Sequence, residues 1–543
     1  VSAADPFPTA VVARLWARDT SLFAAQESRR AAVANRLGWL DAPGFTLAGL
    51  AGMEDFAREV RRDGLTTAVL LGMGGSSLCP LVLSETFPPV PGALALRVVD
   101  TTSPGTVRGI LEELDPAASL VIVASKSGGT IEPNALYRVF REWVDRAVPD
   151  PGRHFAAITD PGTSLASLAA GAGFRRVFTA PPDVGGRFSA LTVFGMLPAA
   201  LLGLDCREML AHAQAMADRC RLLSEEGNPG LELGRWLAHR AGEGRDKLTL
   251  LVSPGLRSLA LWLEQLVAES TGKEGLGLLP VAGEPELEAA DYTPDRAFVL
   301  LSLAEETPVG PSPSLLRGAG HPVLELFLPS PLHLGAEFFR WEAATAVAGA
   351  LLGINPFDEP NVTESKVNTQ AILGGFPRGV VPQVPGGATR GRVTVYPQEG
   401  AEHLGGDAAL LLEDLLARAG GGSYLAILAY LPYSPGVEEA LLPLRRHAAR
   451  RGLASTFGYG PRYLHSTGQI HKGGPPRGLF LILTSAPDPD LPVPGEDYSL
   501  GGLHLAQALG DQQALRQRGF PTLRLHLGGG PGDLPSLVGD LLP

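Results

Sequence analysis

Cysteine is scarce in this chain: Cys79, Cys206 and Cys220 are the only three among 543 residues. Their number is odd and their spacing fits no metal site. A disulfide framework and a thiolate-held zinc are therefore excluded, and free thiols in a reducing cytosol are expected. No apolar run reaches the roughly 18 residues needed to cross a bilayer. The start has no basic region followed by an apolar one, so no secretory signal is expected. No basic tract stands out and the formal net charge is −12, so a nucleic-acid partner is not implied. Two nucleotide patterns are missing as well. G-x-x-x-x-G-K-[ST] does not occur, and the near-match beginning at Gly72 has Ser77 where the dinucleotide fingerprint needs glycine. The first residue is Val1 rather than Met, as expected of a processed chain or a piece of a longer one.

What is present is apolar bulk in a regular order. Hydrophobic residues make up 45% of the chain, enough for a large core, and the length calls for more than one domain. Residues 1–45 carry apolar residues at helical spacing. From there short β-branched runs alternate with amphipathic stretches. "TTAVLL", "LALRVVD", "SLVIVAS" and "HFAAITD" read as strands, and "GTVRGILEELD" and "IEPNALYRVFREWVD" as helices. The rhythm repeats with "KLTLLVSP", "LRSLALWLEQLVAEST", "RAFVLLSLAE", "PVLELFLP" and the long helix from Leu334. A third block has strands "SYLAILAYL", "GLFLILTSA" and "TLRLHLGG". Such alternation predicts an α/β fold of βαβ units with mostly parallel sheets, ligands binding beyond the strand ends. The expected organisation is an N-terminal helical segment (1–45), two related lobes (46–205 and 206–380) and a C-terminal α/β lobe (381–543).

The loops carry the chemistry. "ASKSGGT" follows a strand and precedes a helix, an arrangement that points backbone N–H groups and a helix N-terminus at an anion. Ser125, Ser127 and Thr130 add hydroxyls and Lys126 adds charge, which together suit a phosphate monoester. "GMGGSS" brings a second such loop, with Gly75 and Ser76. A capped helix start would use similar residues, but two such loops on neighbouring strands favour a sugar-phosphate site. In "DVGGRFSALT", Arg187 follows a glycine pair and is placed to hold developing negative charge. In "LEQLVAESTGKEG", Gln265 and Glu269 are four apart and share a helix face. Glu269, near the helix end and Gly272, is a candidate general base. The negative helix end would raise its pKa and nearby Lys273 would lower it. Lys366 follows a Pro-bearing loop in "NPFDEPNVTESK".

In this order, over about residues 45–375, the five stretches resemble the glucose-6-phosphate isomerase family. "GMGGSSL" and "SKSGGT" look like its phosphate-binding loops, "GGRFSALTVFG" and "NPFDEPNVTESK" like its two signatures, and "ESTGKEG" like the segment carrying its catalytic glutamate. The chain is similar to the isomerase part of bifunctional transaldolase/glucose-6-phosphate isomerases, though no transaldolase segment is seen. The resemblance implies sugar-isomerase α-β-α sandwich lobes. It implies interconversion of glucose 6-phosphate and fructose 6-phosphate through a cis-enediol, as in glycolysis and gluconeogenesis, with no metal or organic cofactor. It further implies a cytoplasmic homodimer, without nucleic-acid or membrane partners, and a possible fused or associated transaldolase. Glu269 would be the base, Arg187 the enediolate's partner and Lys366 an aid to ring opening. Gly75, Ser76, Ser125, Lys126, Ser127, Thr130 and Gln265 would bind the phosphate end. Competing readings on the same fold are a non-catalytic sugar-phosphate sensor and an isomerase of mannose 6-phosphate.

The chain departs from the family pattern in three places. Glu359 stands where the family has Gln, and Asn361-Val362-Thr363 replaces Gly-Val-Glu. The family's ring-opening histidine, some thirty residues past the glutamate, has no counterpart, because no histidine lies between His239 and His321. "STGQIH" in the third lobe is similar to the sequence around that histidine. His471 is the candidate replacement, with His465 as the alternative.

Overall fold

The computed structural model describes residues 7–24, 26–487 and 489–542. Residues 1–6, the beginning of the segment expected to be helical, lie outside the described residues. The helices Phe7–Trp16 and Glu27–Ala34 are followed by helix Ala42–Arg62, which runs across the boundary expected at residue 45.

Three sheets form. In the first, β1 (Thr67–Leu71), β2 (Ala95–Val99), β3 (Ser119–Ala124), β4 (Phe155–Thr159) and β5 (Arg176–Thr179) lie in the order β2-β1-β3-β4-β5, all parallel. β3 is buried along its whole length, the pattern of a parallel strand covered on both faces. In the second, β6 (Lys247–Val252), β7 (Leu279–Ala282), β8 (Arg296–Leu303) and β9 (Val323–Leu328) lie in the order β7-β6-β8-β9, again all parallel. The third holds β10 (Ala388–Arg390), β11 (Val393–Tyr396), β12 (Tyr424–Tyr430), β13 (Ala454–Tyr459), β14 (Gly478–Ser485) and β15 (Thr522–Leu527). Their order is β10-β11-β15-β14-β12-β13, and only the pairings made by β11 are antiparallel.

One apolar core runs from Val11 to Phe357 and joins the first two lobes. The third lobe has its own core, from Val395 to Leu541. It is not an appendage. Val493, Leu500 and Leu503 enter the first lobe's core, and Ala268, Leu279 and Val281 pack with Tyr424, Ile470 and Phe480. Helix Arg257–Thr271 is buried at nearly every position because all three lobes lie against it. Among the described residues no helix is long and apolar enough to cross a membrane.

Candidate active site

Glu269 sits in the last turn of helix Arg257–Thr271 and is 8% exposed. Its Oε1 lies 3.2 Å from Arg187 Nη1, and its Oε2 accepts a 3.0 Å hydrogen bond from Gln265 Nε2. The pairing expected from the four-residue spacing is thus made directly between the two side chains. Burial pushes the Glu269 carboxyl above its ordinary value, Arg187 draws it down and Glu359 pushes it up again. The expected opposition from Lys273 is not made. That ammonium turns to the carbonyls of Asn355 and Asp358 and to Asp358 Oδ1, 2.9 Å away. Burial and the neighbouring Arg187 lower Lys273 to about 8.

Glycine builds the approach to this carboxylate. Gly74 has φ +53, and a Cβ there would lie 2.6 Å from Gln265 Nε2. At Gly75 a Cβ would fall 2.0 Å from the Gly186 carbonyl oxygen, so the two Gly-rich loops meet backbone to backbone. That contact sets Arg187 beside helix Arg257–Thr271, where its Nε donates to Ser270 Oγ at 2.8 Å. Gly272 ends the helix, but not through a left-handed turn: its φ is −75. It is glycine because a Cβ would lie 2.4 Å from Ile470 Cα in the third lobe.

A cavity of about 160 Å3 is lined by Ser127, Gly129 and Thr130 of the Gly-rich loop and by Lys366. His465 and Glu132 also line it. Ser125 stands behind the loop, 2% exposed; its hydroxyl is 3.1 Å from Thr130 Oγ1 and accepts from the Gly128 N–H at 3.2 Å. Lys126 faces elsewhere. Its ammonium lies 2.8 and 2.7 Å from the two Asp160 oxygens and donates to the carbonyl of Pro181, so its charge is committed outside the cavity. Gly75, Ser76, Gln265, Arg187 and Glu269 are not among the cavity's lining residues.

His465 joins the two groups. Its carbonyl accepts from Gln265 Nε2 at 2.8 Å, and its ring Nε2 lies 3.0 Å from Glu132 Oε1. Burial would raise the Glu132 carboxyl, but the His465 charge and hydrogen bond, with Lys366, bring it below its ordinary value. The third lobe supplies a further contact, Gln507 Nε2 donating to Glu132 Oε1 at 2.8 Å. The expectation for His471 is corrected. That ring is enclosed by Tyr424, Tyr463 and Phe480, and neither nitrogen has a hydrogen-bond partner among the described residues. Burial lowers it to about 3, so it stays neutral, and it is not among the cavity's lining residues. His333 stacks on His212 and His321 packs on Phe298, both within the second lobe.

Glu132 and Gln507 received no role from sequence. Glu132 lies in the first turn of helix Ile131–Asp145, where acids are common, and its partners lie 333 and 375 positions away.

Residues 52–276 match the family model described as Phosphoglucose isomerase. A glucose-6-phosphate isomerase of Rubrobacter xylanophilus is 32% identical over 402 residues, covering 64% of this chain and 92% of that protein. One from Symbiobacterium thermophilum is 30% identical over 390 residues, covering 62% of this chain and 86% of the other. A hypothetical protein from Thermus thermophilus superposes with a TM-score of 0.57 at 28% identity, covering 68% of this chain and 97% of that one. A Chlamydia trachomatis glucose-6-phosphate isomerase shares the fold, with a TM-score of 0.52 at 20% identity and coverage of 68% and 79%.

Proposed function

The chain belongs to the glucose-6-phosphate isomerase family, and on that premise we propose how its residues divide the work of interconverting glucose 6-phosphate and fructose 6-phosphate. The phosphate is held by the hydroxyls of Ser127 and Thr130 and by the loop's N–H groups, with the Lys366 ammonium opposite. Ser125 fixes that loop from behind. So anchored, the sugar runs past the His465 ring towards Glu269, and the phosphate's binding energy positions its carbons.

Ring opening needs a proton added at the ring oxygen and one removed from the C1 hydroxyl. His465, with Nε2 tied to Glu132, is the group that exchanges those protons. Glu269 then takes the proton from C2. The C1 carbonyl becomes an enediol oxygen, and Arg187 stabilises the negative charge that develops there. The same carboxyl returns its proton to C1 while the O2 proton moves to O1, giving the ketose. One base suffices because C1 and C2 are adjacent on one face of the enediol.

The observation that carries this reading is the buried carboxylate of Glu269, held between Arg187 at 3.2 Å and Gln265 at 3.0 Å. A coupled assay from fructose 6-phosphate tests it. Turnover by the wild type and a loss of several orders of magnitude in Glu269→Gln are expected; equal turnover would remove Glu269 from the mechanism. A homodimer, a fused or associated transaldolase and a cytoplasmic setting belong to the same proposal. The three buried free thiols support the reducing compartment, and sedimentation tests the dimer.

A further inference from the structure

Glu269 shares its cation. The Arg187 Nη1 that lies 3.2 Å from Glu269 Oε1 also lies 3.2 Å from Glu359 Oε2. The rest of the guanidinium is occupied: Nε donates to Ser270, and Nη2 donates to the carbonyls of Pro356 at 2.6 Å and Asp358 at 3.0 Å. One nitrogen therefore bridges two carboxylates of different character. The Glu269 side chain is 11% exposed and that of Glu359 is 43% exposed.

The loop that carries Glu359 is clamped at both ends. Lys273 donates to the Asn355 carbonyl at 2.6 Å and to that of Asp358. Gln469 of the third lobe accepts from the Asn361 N–H at 3.0 Å and donates to its side-chain oxygen at 2.8 Å. Glu359 is thus held on Arg187 by its backbone. The groups facing Glu269 are Arg187, Glu359, Gln265 on its own helix and His465 of the third lobe; Lys273 is in turn acted on by Arg187.

We propose that Glu359 is a positioning residue that sets the basicity of Glu269 by competing for the shared Arg187 nitrogen. Without a second carboxylate, Arg187 would pair with Glu269 alone and hold it as a weak base. With Glu359 in place, the cation's field is divided and Glu269 keeps the affinity for a proton that abstraction from carbon demands.

This inference rests on Glu269 being the base. The test is the pH profile of kcat/KM for fructose 6-phosphate in the wild type, Glu359→Gln and Glu269→Gln. Removing a negative charge lowers the Glu269 pKa, so the acid limb of Glu359→Gln should move down by about one pH unit. Its plateau should fall about threefold, as a weaker base abstracts more slowly. A Glu359→Gln limb that stays in place, or a drop uniform across pH, overturns the inference while Glu269→Gln remains inactive. Full turnover in Glu269→Gln overturns the reading of the base and this inference with it. Titration of 13C-labelled glutamate carboxyls in both proteins reads the same shift without turnover; an unmoved Glu269 resonance also overturns it.

Discussion

His465 is the residue whose replacement most sharply separates the two chemical steps. Its side chain and its backbone do different things. The ring lies on Glu132 at 3.0 Å, while the carbonyl holds Gln265 at 2.8 Å. His465→Gln therefore removes acid–base function yet leaves the carbonyl that orients Gln265, and the new amide can still donate to Glu132. Glu132 also keeps its 2.8 Å bond from Gln507, so it is not left buried without a partner. Loss of a positioned proton-transfer group costs about a hundred- to ten-thousandfold in the step it serves. That is about 3–5 kcal/mol of barrier. The step served is ring opening, which also equilibrates the α and β anomers of glucose 6-phosphate. In a Glu269→Gln background no proton moves between C1 and C2, so exchange NMR on substrate labelled at C1 reads ring opening alone. Glu269→Gln should still interconvert the anomers, and adding His465→Gln should slow that by at least a hundredfold, the lower end of the range. If the double variant equilibrates them as fast as the single one, His465 does not open the ring.

Three further outcomes can be measured. Thr130→Val removes a hydroxyl from the cavity wall, and a hydrogen bond to a phosphate oxygen contributes about 1.5–3 kcal/mol, so KM should rise about ten- to a hundredfold. Lys126→Met should change KM by less than about threefold, because that ammonium already serves Asp160; steady-state kinetics on both variants decide. Glu264, on the same helix as Glu269, is pushed up to about 8 by burial, with Arg445 and Arg462 drawing it down. The folded state then keeps a proton that the unfolded chain loses above the ordinary value of 4.5, so this group's contribution to stability declines as pH rises from about 4.5 to 8. The melting temperature of Glu264→Gln relative to wild type should therefore climb between pH 5 and pH 8, and a difference independent of pH would refute the reasoning.

Much of the fold is legible in local pattern. β1, β3 and β6 are apolar runs that end at Gly or Ser, and nearly every strand and helix named from sequence is found. The strands β7, β10, β11 and β13 were passed over. "LPVA" is four residues long, and "VTVY" and "ASTFGY" alternate too weakly to stand out from loops. In the site, Glu269 and Gln265 were legible because their contact is set by one helical repeat. The Asp160 partner of Lys126 was not legible, for the opposite reason. A lysine in an anion loop suggests a ligand contact, and nothing in the local sequence says that Asp160 at the next strand end will take it.

Sequence offered the third lobe only as the source of a replacement histidine, His471 or His465, and its other contacts with the site could not be read, for a physical reason. The family model matches residues 52–276, a stretch that ends before Lys366 and well before the third sheet. Yet one short segment of the third lobe, from Arg462 to Gln469, touches several of the functional stretches. Arg462 grips the buried Asp100 behind the first Gly-rich loop at 2.7 and 2.8 Å. His465 meets Gln265 and Glu132, and Gln469 caps the Gly272 carbonyl at 2.9 Å while fixing the loop of Glu359. Further along, Asp511 accepts from Ser365 at 3.0 Å, next to Lys366 on its helix. All of these bonds join residues more than a hundred positions apart, where no periodicity or spacing can anticipate them. On the proposed division of work, the histidine missing after Glu269 is made good from elsewhere. The chain folds a later lobe back onto the cleft, and the lobe that brings His465 also pins the loop that sets the charge on Arg187.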